Sequence, residues 1–160
     1  MRLASIRFAF FLAFLCSAAI ILAALYLEHV VGLLPCPLCV VQRICVIGFG
    51  LACLAGAAHG RGRRVYAGLA GLMAVAGGAT ALRQVWLQSV PADELPSCLP
   101  SLEYMMEALP FQEIVRLVLH GTADCAEVGW TFLGLSLPEW SLLCFIGLFG
   151  FSLWQALRRR

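Results

Sequence analysis

Cys36 and Cys39, in the run Cys36-Pro37-Leu38-Cys39, have the spacing at which two sulfurs meet in one helical turn. If a helix begins there, its free amide hydrogens and its dipole favour a thiolate, and the acidity of these thiols is expected to be enhanced. This is the pattern of a redox-active dithiol. Covalent haem attachment would need a histidine where Val40 stands. A zinc site would need a second close ligand pair, whereas Cys98 and Cys125 stand far apart and His29 and His120 show no finger spacing. A structural staple stays open as the alternative, although a C-x-x-C ring is tight and reducible.

The elements that hold these cysteines follow from composition. The chain has 160 residues, 62% hydrophobic and only 12% charged, with a mean hydropathy of +0.91. A water-soluble surface of this size cannot be built from that mixture, which argues against soluble nucleotide enzymes, nucleic-acid binders and disordered regulators. Four apolar runs approach the roughly 20 residues that cross a bilayer, at about 8–27, 40–58, 65–82 and 140–157. The fold class expected is an all-α membrane protein, a four-helix transmembrane bundle in one domain over 1–160. Gly68, Gly71, Gly77 and Gly78 in the third run allow close helix approach. The first run exceeds the core of a usual signal peptide and is expected to stay as a helix.

Orientation comes from the arginines, which supply all 11 basic residues. Arg2 and Arg7, Arg61, Arg63 and Arg64, and Arg158, Arg159 and Arg160 share one side if the chain crosses four times. The positive-inside rule makes that side cytoplasmic, with both termini there. All nine acids fall on the opposite side. Two external segments result, about 28–39 and 83–139, and the second is expected to be mostly loop, broken by Pro91, Pro96, Pro100, Pro110 and Pro138. Within it Phe111, Ile114, Val115 and Val118 recur at helical spacing opposite Gln112, Glu113 and Arg116, which fits a short surface helix or one packed on the bundle end.

The cysteines then sort by position. Cys16, Cys45, Cys53 and Cys144 lie in apolar spans, where a thiol acts as a small hydrophobe. Cys36, Cys39, Cys98 and Cys125 lie on the external side, where disulfides persist. Arg43 follows Cys39 by four residues, so the two share a helix face near the membrane boundary. It either snorkels to the interface or stabilises a thiolate and the carbonyl oxygen of a lipid-soluble acceptor. Gln42 offers a further donor beside it.

Two stretches carry a resemblance. Glu28-His29-Val30 and Leu34-Pro35-Cys36-Pro37-Leu38-Cys39-Val40-Val41-Gln42-Arg43 resemble the first external loop of the disulfide bond formation protein B family, DsbB. Asp124-Cys125-Ala126-Glu127, Trp130-Thr131-Phe132-Leu133-Gly134-Leu135 and Pro138-Glu139-Trp140 resemble the end of that family's second loop. The resemblance implies a multi-pass enzyme of the bacterial inner membrane with two periplasmic loops. It would take two electrons from a periplasmic DsbA-like oxidase of the thioredoxin fold and pass them to ubiquinone or menaquinone from the membrane pool.

Carried over by position, the resemblance makes Cys98 the sulfur attacked by the partner, with Cys125 released. Cys125 would attack Cys36 and leave Cys39 as the thiolate facing the quinone, with Arg43 at that contact. The resting pairs implied are Cys98 with Cys125 and Cys36 with Cys39. A histidine that family members often carry after the third span has no counterpart beyond Gln88, so no such role is transferred. Trp86 is a candidate for the quinone pocket wall or for an interfacial anchor. A vitamin K epoxide reductase-like quinone reductase, with the cysteines in another chain order, and a non-enzymatic disulfide-stapled scaffold are the alternatives.

Overall fold

Four helices account for most of the described chain. The computed structural model describes residues 2–33, 35–90, 110, 112–113, 125 and 131–158. Helices α1 (Arg2–His29), α2 (Pro37–His59), α3 (Arg63–Leu87) and α4 (Leu137–Leu157) are each long and apolar enough to cross a bilayer. The chain is thus a multi-pass, all-α membrane bundle. Leu22, Ile44, Leu72 and Ile146 are among many large apolar side chains on its outer face, an arrangement stable only where lipid is the solvent.

The helices are stacked in chain order: α1 packs on α2, α2 on α3 and α3 on α4. Small residues set the spacing. A Cβ at Gly77 would overlap the Phe145 ring, so the absence of a side chain there is what lets α3 and α4 close. Phe49 and Cys53 of α2, Ala70 and Ala74 of α3 and Phe145 of α4 form the shared core. The backbones of α1 and α4 make little contact with each other, although Phe10 meets Phe151 edge-on at 6.1 Å near the arginine-rich end. At the opposite end this gap stays open.

Local signals explain the helix ends. Gly60 (φ 63°) closes α2 and Gly62 (φ 72°) opens α3, two left-handed positions that make the tight turn through Arg61. Arg7 donates from Nε to the Ala57 carbonyl at 2.8 Å and so caps the end of α2. At the start of α4, Ser136 donates its amide to the Glu139 carboxylate at 2.6 Å, a capping box followed by Pro138 in the first turn. The Ser136 hydroxyl also donates to Gln88 Oε1 at 3.0 Å, tying α4 to the end of α3.

Three features depart from the apolar runs. Helix α3 continues five residues beyond Leu82, because Gln84 and Leu87 stay on its buried face. A two-stranded hairpin, β1 (Thr131–Phe132) with β2 (Leu135–Ser136), precedes α4, turning through Leu133 and Gly134 with positive φ at both. Of the expected surface helix, only Gln112 and Glu113 are described, and both are helical; its other positions lie outside the described residues.

Candidate redox site

The C-x-x-C lies where α2 starts. Cys36 is the N-cap residue in extended backbone, Pro37 pre-sets the first turn and Cys39 completes that turn. The helical rise brings the two sulfurs to 2.9 Å of each other. Cys125 joins them from the far end of the sequence: it is 1% exposed and packs with Cys36, Leu38, Leu87 and Cys39. All three cysteines are free thiols in this structure, and Cys98 lies outside the described residues.

Cys36 occupies the centre of this group. Hydrogen bonding to Cys125 first, and then to Cys39, with burial added, pushes its thiol well above the ordinary range. For Cys36 this runs against the acidity expected of a helix start. At Cys36 the neighbouring sulfurs and loss of water outweigh the dipole.

Two glutamines complete the cluster, and sequence reasoning had assigned Gln84 no role. Gln84 reaches in from α3 and places Nε2 at 3.2 Å from the Cys36 sulfur and 3.4 Å from that of Cys39. Gln42 on α2 donates from Nε2 to Gln84 Oε1 at 2.8 Å. Both side chains are buried, and each meets the other or the sulfurs, as buried amides must.

Arg43 sits one turn below Cys39 and turns toward α1. Its guanidinium is ion-paired with Glu28 and donates to the Ala24 carbonyl at 3.3 Å. The cation is therefore partnered within the bundle, and contact with the sulfurs comes from Gln84. Arg43 and Cys39 nevertheless share the wall of one cavity of about 310 Å³ in the gap between α1 and α4. Ala24 and Leu27 of α1, Gln42 of α2 and Trp140 of α4 face the same space. Trp86 lies away from it, 54% exposed, with the Arg83 guanidinium 4.7 Å from its ring centre. Trp140 is the tryptophan on the cavity wall.

The remaining cysteines divide. Cys45 and Cys53 are core residues, as expected of thiols in apolar spans. Cys16 and Cys144 are exposed on the bundle's apolar exterior, and Cys144 borders the cavity.

A family model described as "Disulfide bond formation protein DsbB" matches residues 6–155. The chain belongs to the DsbB family. It is 72% identical to a disulfide bond formation protein B of Stutzerimonas stutzeri over 99% of both chains. It is 67% identical to disulfide bond formation protein B 1 of Pseudomonas aeruginosa, again over 99% of both, and 51% identical to the Hahella chejuensis protein over 88% of this chain and 87% of that one. Like other DsbB proteins it is a membrane disulfide oxidoreductase that supports disulfide bond formation.

Proposed function

We propose that the chain is a thiol:quinone oxidoreductase of the bacterial inner membrane, with both termini cytoplasmic. It takes two electrons from a periplasmic DsbA-like oxidase and delivers them to ubiquinone or menaquinone. The observation that carries this is the shared wall: Cys39 and Arg43 face one cavity, while Cys36, beside Cys39, packs with Cys125.

The residues present suit a quinone head group. The cavity is of ligand size, it opens where α1 and α4 part, and most of its wall is apolar. Arg43, Gln42 and Ser141 are among the polar groups on its wall able to donate to a carbonyl oxygen. When bound, a quinone supplies the sink for two electrons and two protons, which a relay fed by a strongly oxidising thiol partner requires.

The relay is a sequence of disulfide exchanges. A partner thiolate attacks Cys98 of the Cys98–Cys125 disulfide; that bond breaks and Cys125 leaves with the electron pair. The Cys125 thiolate then attacks Cys36 of the Cys36–Cys39 disulfide, and Cys39 leaves as the thiolate at the cavity wall. The partner's second thiolate attacks the partner sulfur of the mixed disulfide, so the partner leaves oxidised and Cys98 departs as a thiolate. Cys98 then attacks Cys125 of the Cys36–Cys125 bond, which restores the loop disulfide and leaves both electrons on Cys36 and Cys39. The contact between Cys125 and Cys36 supports the second exchange, since the sulfurs that must join are neighbours.

Purified protein in detergent, mixed with reduced DsbA-like partner and either quinone, tests this directly. Catalytic reoxidation of the partner is expected. Its absence with both quinones contradicts the proposal. Sidedness is read separately: after reduction of the Cys98–Cys125 disulfide, an impermeant thiol reagent should reach Cys98 from the periplasm, and labelling from the cytoplasm reverses the orientation.

A further inference from the structure

Gln84 is a buried carboxamide whose hydrogen-bonding groups are directed at the redox sulfurs. It is 5% exposed, and burial among apolar helices is costly for an amide unless both ends are met. Gln42 takes the carbonyl end at 2.8 Å, which turns the amino end toward Cys36 and Cys39. The same carbonyl lies 3.7 Å from the Cys39 sulfur, within reach of a thiol hydrogen. One side chain therefore offers a donor to the anion and an acceptor to the neutral thiol.

We propose that Gln84 is a catalytic residue whose N–H stabilises Cys39 as it leaves as a thiolate, and that Gln42 is the positioning residue that fixes the amide in that orientation. This rests on Cys36 and Cys39 being the redox pair. In the step concerned, Cys125 attacks Cys36, the Cys36–Cys39 bond breaks, the Cys36–Cys125 bond forms, and the electron pair departs on Cys39. No proton moves and no outside oxidant enters. A donor already aimed at the leaving sulfur lowers the barrier without reorganising as charge appears. A carboxamide suits the place because it is neutral and keeps its protons through both states of the pair.

Gln84→Met and Gln42→Met test the assignment, since methionine keeps the side chain's length and removes its amide. Reduced protein in detergent is alkylated at neutral pH without partner or quinone, and modification of Cys39 is followed by peptide mass spectrometry at matched amounts of folded protein. Gln84→Met is expected to slow the Cys39 rate by roughly three- to tenfold, and Gln42→Met by a smaller factor. Reduction of the Cys36–Cys39 disulfide by dithiothreitol should slow in the same order.

A merely structural amide would alter yield or melting and leave both rates alone. Unchanged Cys39 rates in Gln84→Met overturn the proposal. If Gln84→Met does not fold, an unchanged rate in Gln42→Met has the same force. A wild-type Cys39 that reacts no faster than the exposed Cys144 removes the redox pair itself, and the proposal falls with it. A fast wild-type Cys39 with no quinone turnover instead leaves Gln84 in place and rejects the quinone acceptor.

Discussion

Glu28 at the end of α1 pairs with Arg43 on α2, so the arginine beside the redox turn has its charge balanced across a helix interface. Both side chains are about one-quarter exposed, so solvent screens the pair and it adds little stability of its own. Its consequence is orientation: the guanidinium is held on the cavity wall, where Cys39 also stands.

Variants at Arg43 separate a cavity role from simple anchoring. At matched amounts of folded protein, Arg43→Ala should raise the apparent quinone KM by roughly tenfold, the scale of one lost charge-assisted hydrogen bond. Arg43→Lys should fall between, because it keeps the charge and loses the planar fork. Glu28→Gln should shift KM in the same direction by less, since it only releases the arginine. A normal KM in Arg43→Ala would mean that the side chain merely snorkels.

The thiol of Cys36 should behave unlike that of an ordinary cysteine. Its acidity is weakened, so at any given pH less of it is thiolate, and alkylation of the reduced protein should stay slow at Cys36 through pH 8. Replacing Cys125 and Cys39 by serine removes the two sulfurs that share its hydrogen. The reaction should then begin at lower pH, which a pH series of peptide-mapped alkylation would show.

Close packing at Gly77 gives a prediction about stability. Gly77→Ala drives a methyl group into the buried Phe145 ring and should cost about 1–3 kcal/mol of resistance to unfolding in mixed micelles. Gly68→Ala is the control. A Cβ there meets nothing within 4 Å, and the substitution should be neutral or slightly stabilising.

Direction of the relay is read by trapping. With Cys125→Ser, Cys98 is a free thiol, and its attack on the disulfide of the oxidised partner breaks that bond and forms a mixed disulfide at Cys98 that Cys125 can no longer resolve, so the adduct should accumulate. Cys98→Ser should abolish it. Non-reducing electrophoresis with peptide mapping distinguishes these, and a partner trapped on Cys36 would reverse the order.

The bundle was legible because lipid-facing and core residues are both apolar, so span length alone reveals each helix. Hydropathy failed at the end of α3, where Arg83 and Gln84 interrupt the apolar run. Helical spacing would have carried it further, since Gly77, Thr80, Ala81, Gln84 and Leu87 fall on one buried face. That same face would have flagged Gln84 as a polar group turned inward. Glu28 was visible as an acid, but its pairing with Arg43 joins two helices and leaves no local pattern. The hairpin before α4 was missed because Leu133 adopts the left-handed conformation without the asparagine or glycine that usually announces it. The cysteine spacing identified Cys36 and Cys39, whereas the juxtaposition of Cys125 was available only through the family resemblance.

The central claim is that electrons leave the protein through Cys39 at the cavity wall. Reduced partner, quinone and either wild-type protein or Cys39→Ser are mixed, and quinol formation is measured against partner disulfide formed. The wild type should give one quinol per disulfide over many turnovers, and Cys39→Ser should give none beyond a first partner adduct. Sustained quinol formation by folded Cys39→Ser would contradict the account.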